Sequence, residues 1–492
     1  MNPQLTVLAC IALPLLAPAL IMALHRWPNP REGVTLLSAA CLLLLVYSLH
    51  DTVLDGGRPA IDLVEPLPGL KIGFEVEPLG LLFALLASFL WLVTSIYSIG
   101  YLRSHHEWRQ TSFYCFFAVA LGSAMGIAFA GNLFTLFIFY ELLTLSTYPL
   151  VTHAGDDAAR DAGRMYLGYL LGTSVILLLL ALVWTWSVTG TLDFRDGGIL
   201  RGTMPPAAAG LLLALFIFGI GKAAVIPVHL WLPAAMVAPT PVSALLHAVA
   251  VVKAGVFTIL KVVIYIFGID FLAEIPATQW LMYVAAATIL LAALVALRQD
   301  NLKLRLAWST ISQLSYIVLC ALLVTPAGIV AGSMHIVMHA FAKITLFFCA
   351  GAILITTHKT RISELNGIGR QMPLTMAAFT VGALSMIGLP PTAGFVSKWY
   401  ILLGTLEAQQ VIAVAVIVTS TLLNAAYFLP IVYAAFFHAP KHTMGQGVSV
   451  VHKETPLTVL LAIAVTAAGT VALFFYPGTA LELAVQTPGP GP

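Results

Sequence analysis

The chain has 492 residues, 60% of them hydrophobic and 9% charged, with a formal charge of +2. Soluble domains carry about 25% charged residues, so this composition excludes a soluble globular protein. The charge says little by itself; the lack of a basic tail or basic patch gives no sign of a nucleic-acid binder, and long uncharged stretches favour a helical membrane protein over a barrel.

In chain order, the length needed to cross a bilayer gives about fourteen spans. The first, at 4–24, lies in MNPQLTVLACIALPLLAPALIMAL, which has no basic residue before its apolar run, so it reads as a membrane helix and not as a cleaved signal peptide. The others fall at 33–50, 78–101, 112–130, 132–152, 165–187, 206–228, 241–267, 276–297, 304–323, 329–356, 372–402, 410–437 and 456–476. The largest loop, 51–77, holds Asp51, Asp55, Asp62, Glu65, Glu75 and Glu77 against Arg58 and Lys71, and none is long enough for a soluble domain. Cys10, Cys41, Cys115, Cys320 and Cys349 lie in apolar runs without metal-like spacing and read as small core residues.

The loop charges test this count. With the loop between spans one and two in the cytoplasm, loops on that side carry Arg26, Arg31, Arg103, Arg109, Arg160, Arg164, Arg298, Lys303, Arg305, Lys359, Arg361, Arg370, Lys441 and Lys453. The other side has Arg58, Lys71, Arg195 and Arg201. This asymmetry fits the positive-inside rule and puts both termini on the non-cytoplasmic side of a cell membrane.

Two spans look interrupted. In GIGKAAVIPVHLWLP, Pro227 and Pro233 follow Lys222, and in MIGLPPTAGFVSKWY, Pro390 and Pro391 precede Lys398. Proline removes a donor and clashes with the preceding turn, so both helices should break there. These are spans seven and twelve, which cross in opposite directions. Paired broken helices point to an inverted repeat of the kind found in transporters. The predicted fold is an all-α polytopic membrane protein of about fourteen transmembrane helices. Residues 1–110 form flanking helices 1–3, 111–270 the first five-helix repeat (helices 4–8), 271–440 the inverted second (helices 9–13), and 441–492 helix 14 and a tail.

Lys222, Lys253, Lys261, Lys343 and Lys398 sit inside apolar runs, as does Glu141. A lysine near the bilayer centre costs about 2.5–3.5 kcal/mol even on lenient scales, so these residues must face the bundle interior. Glu141 and Lys253 are placed near mid-membrane by the rise of about 1.5 Å per residue, and Lys343 is also central in its span. His335, His339 and Lys343 recur at i, i+4 and i+8, on one helix face, and His247 lies near Lys253. Burial weakens a lysine's hold on its proton and a nearby carboxylate restores it. An axis of Glu141, Lys222, Lys253, Lys343 and Lys398, with His247, His335 and His339 between, therefore reads as a proton relay. Competing readings are a static Glu141–Lys222 ion pair, a Lys261 that snorkels to the interface, and histidines that are merely satisfied in the core. Lys303 and Arg305 mark the cytoplasmic entrance to span ten. The Trp and Tyr residues read as interface anchors.

The segment PVHLWLPAAMVAPTPVSALLHAVAVVKAGVF, with DNLKLRLAWSTISQLSY, HAFAKITLFFCAG, YELL and GLPPTAGFVSKW, resembles the antiporter-like membrane subunits shared by respiratory complex I, membrane-bound hydrogenases and Mrp-type cation/proton antiporters. The resemblance spans most of the chain. It implies a fourteen-helix fold with an inverted repeat, ion translocation, and functional roles for Glu141, Lys222, Lys253, Lys343 and Lys398. The overall look is most similar to the D-type chain of Mrp antiporters, with Lys398 and the chain's length setting it apart from other branches. Many relatives carry Asp and His where this chain has Ala234 and Met236. The expected function is proton translocation in a multisubunit Na⁺/H⁺ antiporter; the alternatives are the same module in a redox-driven complex, or a structural membrane protein that moves no ion. No pattern holds iron–sulfur, flavin, quinone or metal, so redox chemistry would belong to partner membrane subunits. Whether Na⁺ itself passes through this chain is left open by its residues.

Overall fold

The computed structural model describes residues 2–439 and 453–487; Lys441 and the 440/441 boundary expected between the second repeat and helix 14 lie outside the described residues. The membrane-crossing helices are α1 (Pro3–Ala23), α2 (Pro28–Tyr47), α3 (Pro78–Ser104), α4 (Gln110–Ala128), α5 (Leu133–Val151), α6 (Asp157–Thr189) and α7 (Pro206–Gly219). They continue with α8 (Thr240–Phe267), α9 (Pro276–Arg298), α10 (Leu302–Leu322), α11 (Pro326–Thr357), the two halves α12a (Pro373–Ile387) and α12b (Ala393–Glu407), α13 (Val411–Phe437) and α14 (Leu457–Phe475). A short helix, α15 (Gly478–Gln486), follows. Eleven of the described helices are long and apolar enough to span a membrane unaided; α7, α10 and the paired halves of α12 complete the fourteen expected segments.

Sequence chemistry fixes where these helices start. Helices α1, α2, α3, α7, α9, α11 and α12a all begin on proline, whose fixed φ suits a first turn and whose missing N–H is one the helix leaves unpaired anyway. Asn132, Asn301 and Thr325 add side-chain caps to α5, α10 and α11. Helices α8 and α11 are buried along their whole apolar length and form the axis of the bundle, whereas α2, α6 and α14 bury only 33% and leave an apolar face outward.

Contacts between loops agree with the alternation of the spans. On one face, Arg31 donates to Gln110 and Thr111, Arg103 pairs with Glu32, Lys303 donates to the Ala238 carbonyl, and Glu454 caps the start of α12a. On the other, Asn132 donates to the Lys71 carbonyl, Arg201 pairs with Glu274, and Gln486 donates to the Leu54 carbonyl. Each contact joins loops that the fourteen-span count puts on one side. The 51–77 loop departs from the all-helical expectation. It folds into an antiparallel hairpin, β1 (Ala60–Leu67) and β2 (Leu70–Glu75), whose β2 end bridges to Ala130.

The two breaks exist but begin earlier than proline chemistry predicts. Helix α7 stops at Gly219, not near 228, and Lys222 sits in a 3₁₀ turn, Gly221–Ala223, ended by Ala224 at φ 55. Helix α12a stops at Ile387 with Gly388 at φ 91. A left-handed glycine ends α12a, whereas α7 passes through Ile220 into the 3₁₀ turn that Ala224 closes; Pro227, Pro390 and Pro391 follow and keep the helix from resuming. A β-carbon on Gly394, at the start of α12b, would collide with the Ser385 carbonyl oxygen, so the α12 halves cross at glycine contact. Gly394→Ala should therefore cost on the order of 3 kcal/mol and sharply lower the yield of monodisperse protein in detergent; an unchanged yield and melting midpoint would contradict this close approach.

Candidate functional site

The buried charges can be followed from the α7 break. Lys222 has 0% exposure, and its Nζ donates to the Tyr140 carbonyl at 2.9 Å and to Thr144 Oγ1 at 2.5 Å. The same ammonium lies 3.2 Å from the Tyr140 ring centroid. Tyr140 and Thr144 are one turn apart on α5. Glu141, the expected partner, makes no hydrogen bond to it: both its carboxylate oxygens are buried without a hydrogen-bond partner. The expected ion pair is thus replaced by contacts to a carbonyl, a hydroxyl and a ring. Gly255 lets α8 approach this turn, since a β-carbon there would collide with backbone atoms of Lys222 and Ala223.

Helix α8 carries π turns at Leu245–Val249 and Val263–Phe267, flanking the regular segment Val251–Val262. Such turns frequently mark functional sites. From the regular segment, Lys253 Nζ donates to His339 Nδ1 at 2.7 Å. The His339 ring stacks on His335, centroids 5.8 Å apart. His335 Nε2 donates to Gln313 Oε1 at 3.1 Å, which leaves Nδ1 to accept from Ser397 Oγ at 2.9 Å. Ser397 precedes Lys398, whose Nζ donates to the carbonyls of Met386 at 3.0 Å and Ile387 at 2.8 Å and to Thr421 Oγ1 at 3.2 Å. The ammonium therefore caps the C-terminal end of α12a, where helix carbonyls are free and the dipole favours a cation.

The order along this row differs from the predicted axis. Lys343, one turn beyond His339, donates to Ser309 Oγ at 2.5 Å and the Leu306 carbonyl at 3.3 Å on α10, and these hydrogen bonds do not join it to the Lys253–His339–His335 line. His247 is fully buried on the first π turn, 4.8 Å from the Phe347 ring, and neither ring nitrogen has a partner. Lys303 donates to the Ala238 carbonyl at 2.6 Å, while Arg305 spends its guanidinium on the carbonyls of Gln299, Tyr427 and Leu297. Arg305 thus ties α9, α10 and α13 together.

Lys261 corrects the snorkelling expectation. It is 1% exposed and pairs with Glu77 Oε1 at 3.3 Å. Glu77, assigned to a loop by hydropathy, is buried as well. The residues that sequence reasoning missed are the polar partners: Thr144, Ser309, Gln313, Ser397 and Thr421. For Ser309 and Gln313 the signal lies in WSTISQLSY, where they stand four apart on one helix face.

Residues 130–424 match the family described as NADH:quinone oxidoreductase/Mrp antiporter, TM. NADH-quinone oxidoreductase subunit N of Desulforudis audaxviator (strain MP104C) is 33% identical over 85% of this chain and 85% of that protein. A probable K(+)/H(+) antiporter protein of Rhizobium meliloti (strain 1021) is 30% identical over 84% of this chain but 42% of its own length. The chain also spans about half the length of the NAD(P)H-quinone oxidoreductase chain 5 relatives it matches. The Mrp complex from Dietzia sp. DQ12-45-1b contains a chain that superposes with a TM-score of 0.88, covering 99% of this chain and 97% of its own at 24% identity, which speaks for the fold. The chain belongs to the NADH:quinone oxidoreductase/Mrp antiporter transmembrane family and is an antiporter-like membrane subunit of that family.

Proposed function

We propose that this chain is the proton-translocating subunit of a multisubunit monovalent cation/proton antiporter of the Mrp type, seated in a cell membrane with both termini on the non-cytoplasmic side. The observation that carries this reading is the buried row Lys253–His339–His335–Ser397, which ends beside Lys398. A scaffold gains nothing from ammonium groups kept where each costs several kcal/mol. In the row they meet neutral acceptors and imidazoles, which exchange protons without first breaking an ion pair. Protons would enter near Lys303, pass Lys222 and Lys253, cross along the imidazole pair, and reach Lys398. Glu141, free of donors, would bias Lys222 through its field across the apolar gap. Sodium or potassium would be the counter-ion moved by the complex, and other membrane subunits its partners.

A second reading follows from the relative that covers 85% of both chains, an NADH-quinone oxidoreductase subunit. In that reading the same row is driven by electron transfer in partner subunits. The co-purifying subunits discriminate the two: cluster- or quinone-bearing chains for the redox complex, small hydrophobic chains for the antiporter.

Cation-driven proton flux in vesicles of the assembled complex should fall to near background in Glu141→Ala, Lys222→Ala and Lys398→Ala. Near-normal flux in all three would sink the relay, whereas lost assembly with an active remnant would favour a static structural role. Ser397→Ala removes one hydrogen bond from His335 without adding bulk. It should slow flux by about tenfold, the equivalent of about 1.4 kcal/mol, with assembly intact. Unaltered flux would mean that His335 does not pass protons toward Lys398.

A further inference from the structure

At the end of α8 remote from Lys303 lies a second set of ionisable groups that the row does not use. Lys261 is two turns beyond Lys253 on the same helix, about 12 Å along its axis. Its Nζ donates to the Ala130 carbonyl at 2.6 Å, pairs with Glu77 at 3.3 Å, and lies 4.5 Å from the Phe194 ring. Glu77 is 5% exposed and accepts from the N–H groups of Leu79 at 2.7 Å and Gly80 at 3.0 Å, at the positive end of α3. Tyr265, one turn past Lys261, donates to Glu77 Oε2 at 3.2 Å.

The pair is not sealed. It lines a cavity of about 100 Å³ together with Glu75, Arg58 and Asp196, which come from the hairpin and from loops of the face opposite the arginine-rich one. That space accommodates several waters among polar walls. We infer that Glu77, Lys261 and Glu75 form the proton-exchange terminal of the chain on the face opposite its arginine-rich loops. A proton leaves Lys261 Nζ through cavity water to the Glu75 carboxylate, giving a neutral amine and a carboxylic acid. Glu75 releases it to bulk, and Lys261 regains a proton from Lys253, the point through which the imidazole pair and Lys398 exchange with the far face; the reverse order describes uptake. Glu77, held by two backbone donors and Tyr265, positions the ammonium. Burial pushes the Glu75 carboxyl above the usual carboxylate range, against the pull of Lys261 and Arg58, which suits it to exchange closer to neutrality.

This inference rests on the proton-translocation reading, and the experiment separates the two. Proton flux is measured in vesicles of the assembled complex while pH is varied on one face at a time, for Glu75→Gln, Glu75→Asp, Lys261→Ala and Lys222→Ala. Glu75→Gln should lower flux at least tenfold and flatten the response to pH on the far face, while the response on the arginine-rich face persists. Glu75→Asp should restore much of the flux. If Lys222→Ala abolishes flux while Glu75→Gln matches wild type on both faces, the terminal is wrong and the relay stands. If Lys222→Ala also leaves flux intact, the translocation reading itself fails. Because Lys261→Ala strands a buried carboxylate and risks misfolding, Asp196→Cys supplies an independent arm. A membrane-impermeant thiol reagent should modify it from the far face, and modification only from the arginine-rich face would overturn the assignment.

Discussion

The N–H donors of the buried lysines need acceptors inside a bundle that offers few. That requirement organises the centre of this protein. Lys222 and Lys343 each turn to a backbone carbonyl and a hydroxyl on a neighbouring intact helix, α5 in one case and α10 in the other. Lys398 takes two carbonyls that the α12 break sets free, with a hydroxyl from α13. Lys253 alone meets an imidazole. Irregular backbone at membrane depth is tolerated where it is enclosed by protein, and at the α12 break Lys398 covers the freed carbonyls.

The same economy explains the packing around the breaks. A left-handed Gly388 ends α12a, and Gly394 lets α12b cross it at contact distance. Gly255 plays the corresponding part for the turn that holds Lys222. Glycine thus sets how near the helices come, and that nearness sets which atoms a lysine of fixed length can reach. The substitution of a methyl group at these points acts on the electrostatics of the row through geometry alone.

Much of this is legible in the chain itself. The fourteen segments follow from hydropathy, and the sorting of their loops into two sets from charge, because both depend on composition over long windows. The imprecise points share a cause. Linear spacing gives a residue's depth in a helix but not which neighbour stands at its azimuth. Glu141 and Lys222 are close in depth, yet Tyr140 and Thr144 take the lysine. Lys261 lies at a helix end where snorkelling is usual, yet a hairpin hidden among loop residues folds against that end and brings Glu75 and Glu77 over it. The polar partners on α10 escape a hydropathy reading because single hydroxyls hardly alter the average of an apolar run. Proline marks both breaks but not their first residue, since a left-handed glycine has already stopped α12a and a 3₁₀ turn has already followed α7.

A carbonyl can only accept, whereas a hydroxyl both donates and accepts by turning about one bond. Thr144, Ser309 and Thr421 therefore offer their lysines something the flanking carbonyls do not. When the nitrogen is an ammonium, the hydroxyl presents its lone pair; when it is an amine, the hydroxyl swings its hydrogen toward the new lone pair. Neither helix nor lysine has to move. Each of these three lysines can thus change protonation state against a hydroxyl that re-aims by rotation about a single bond.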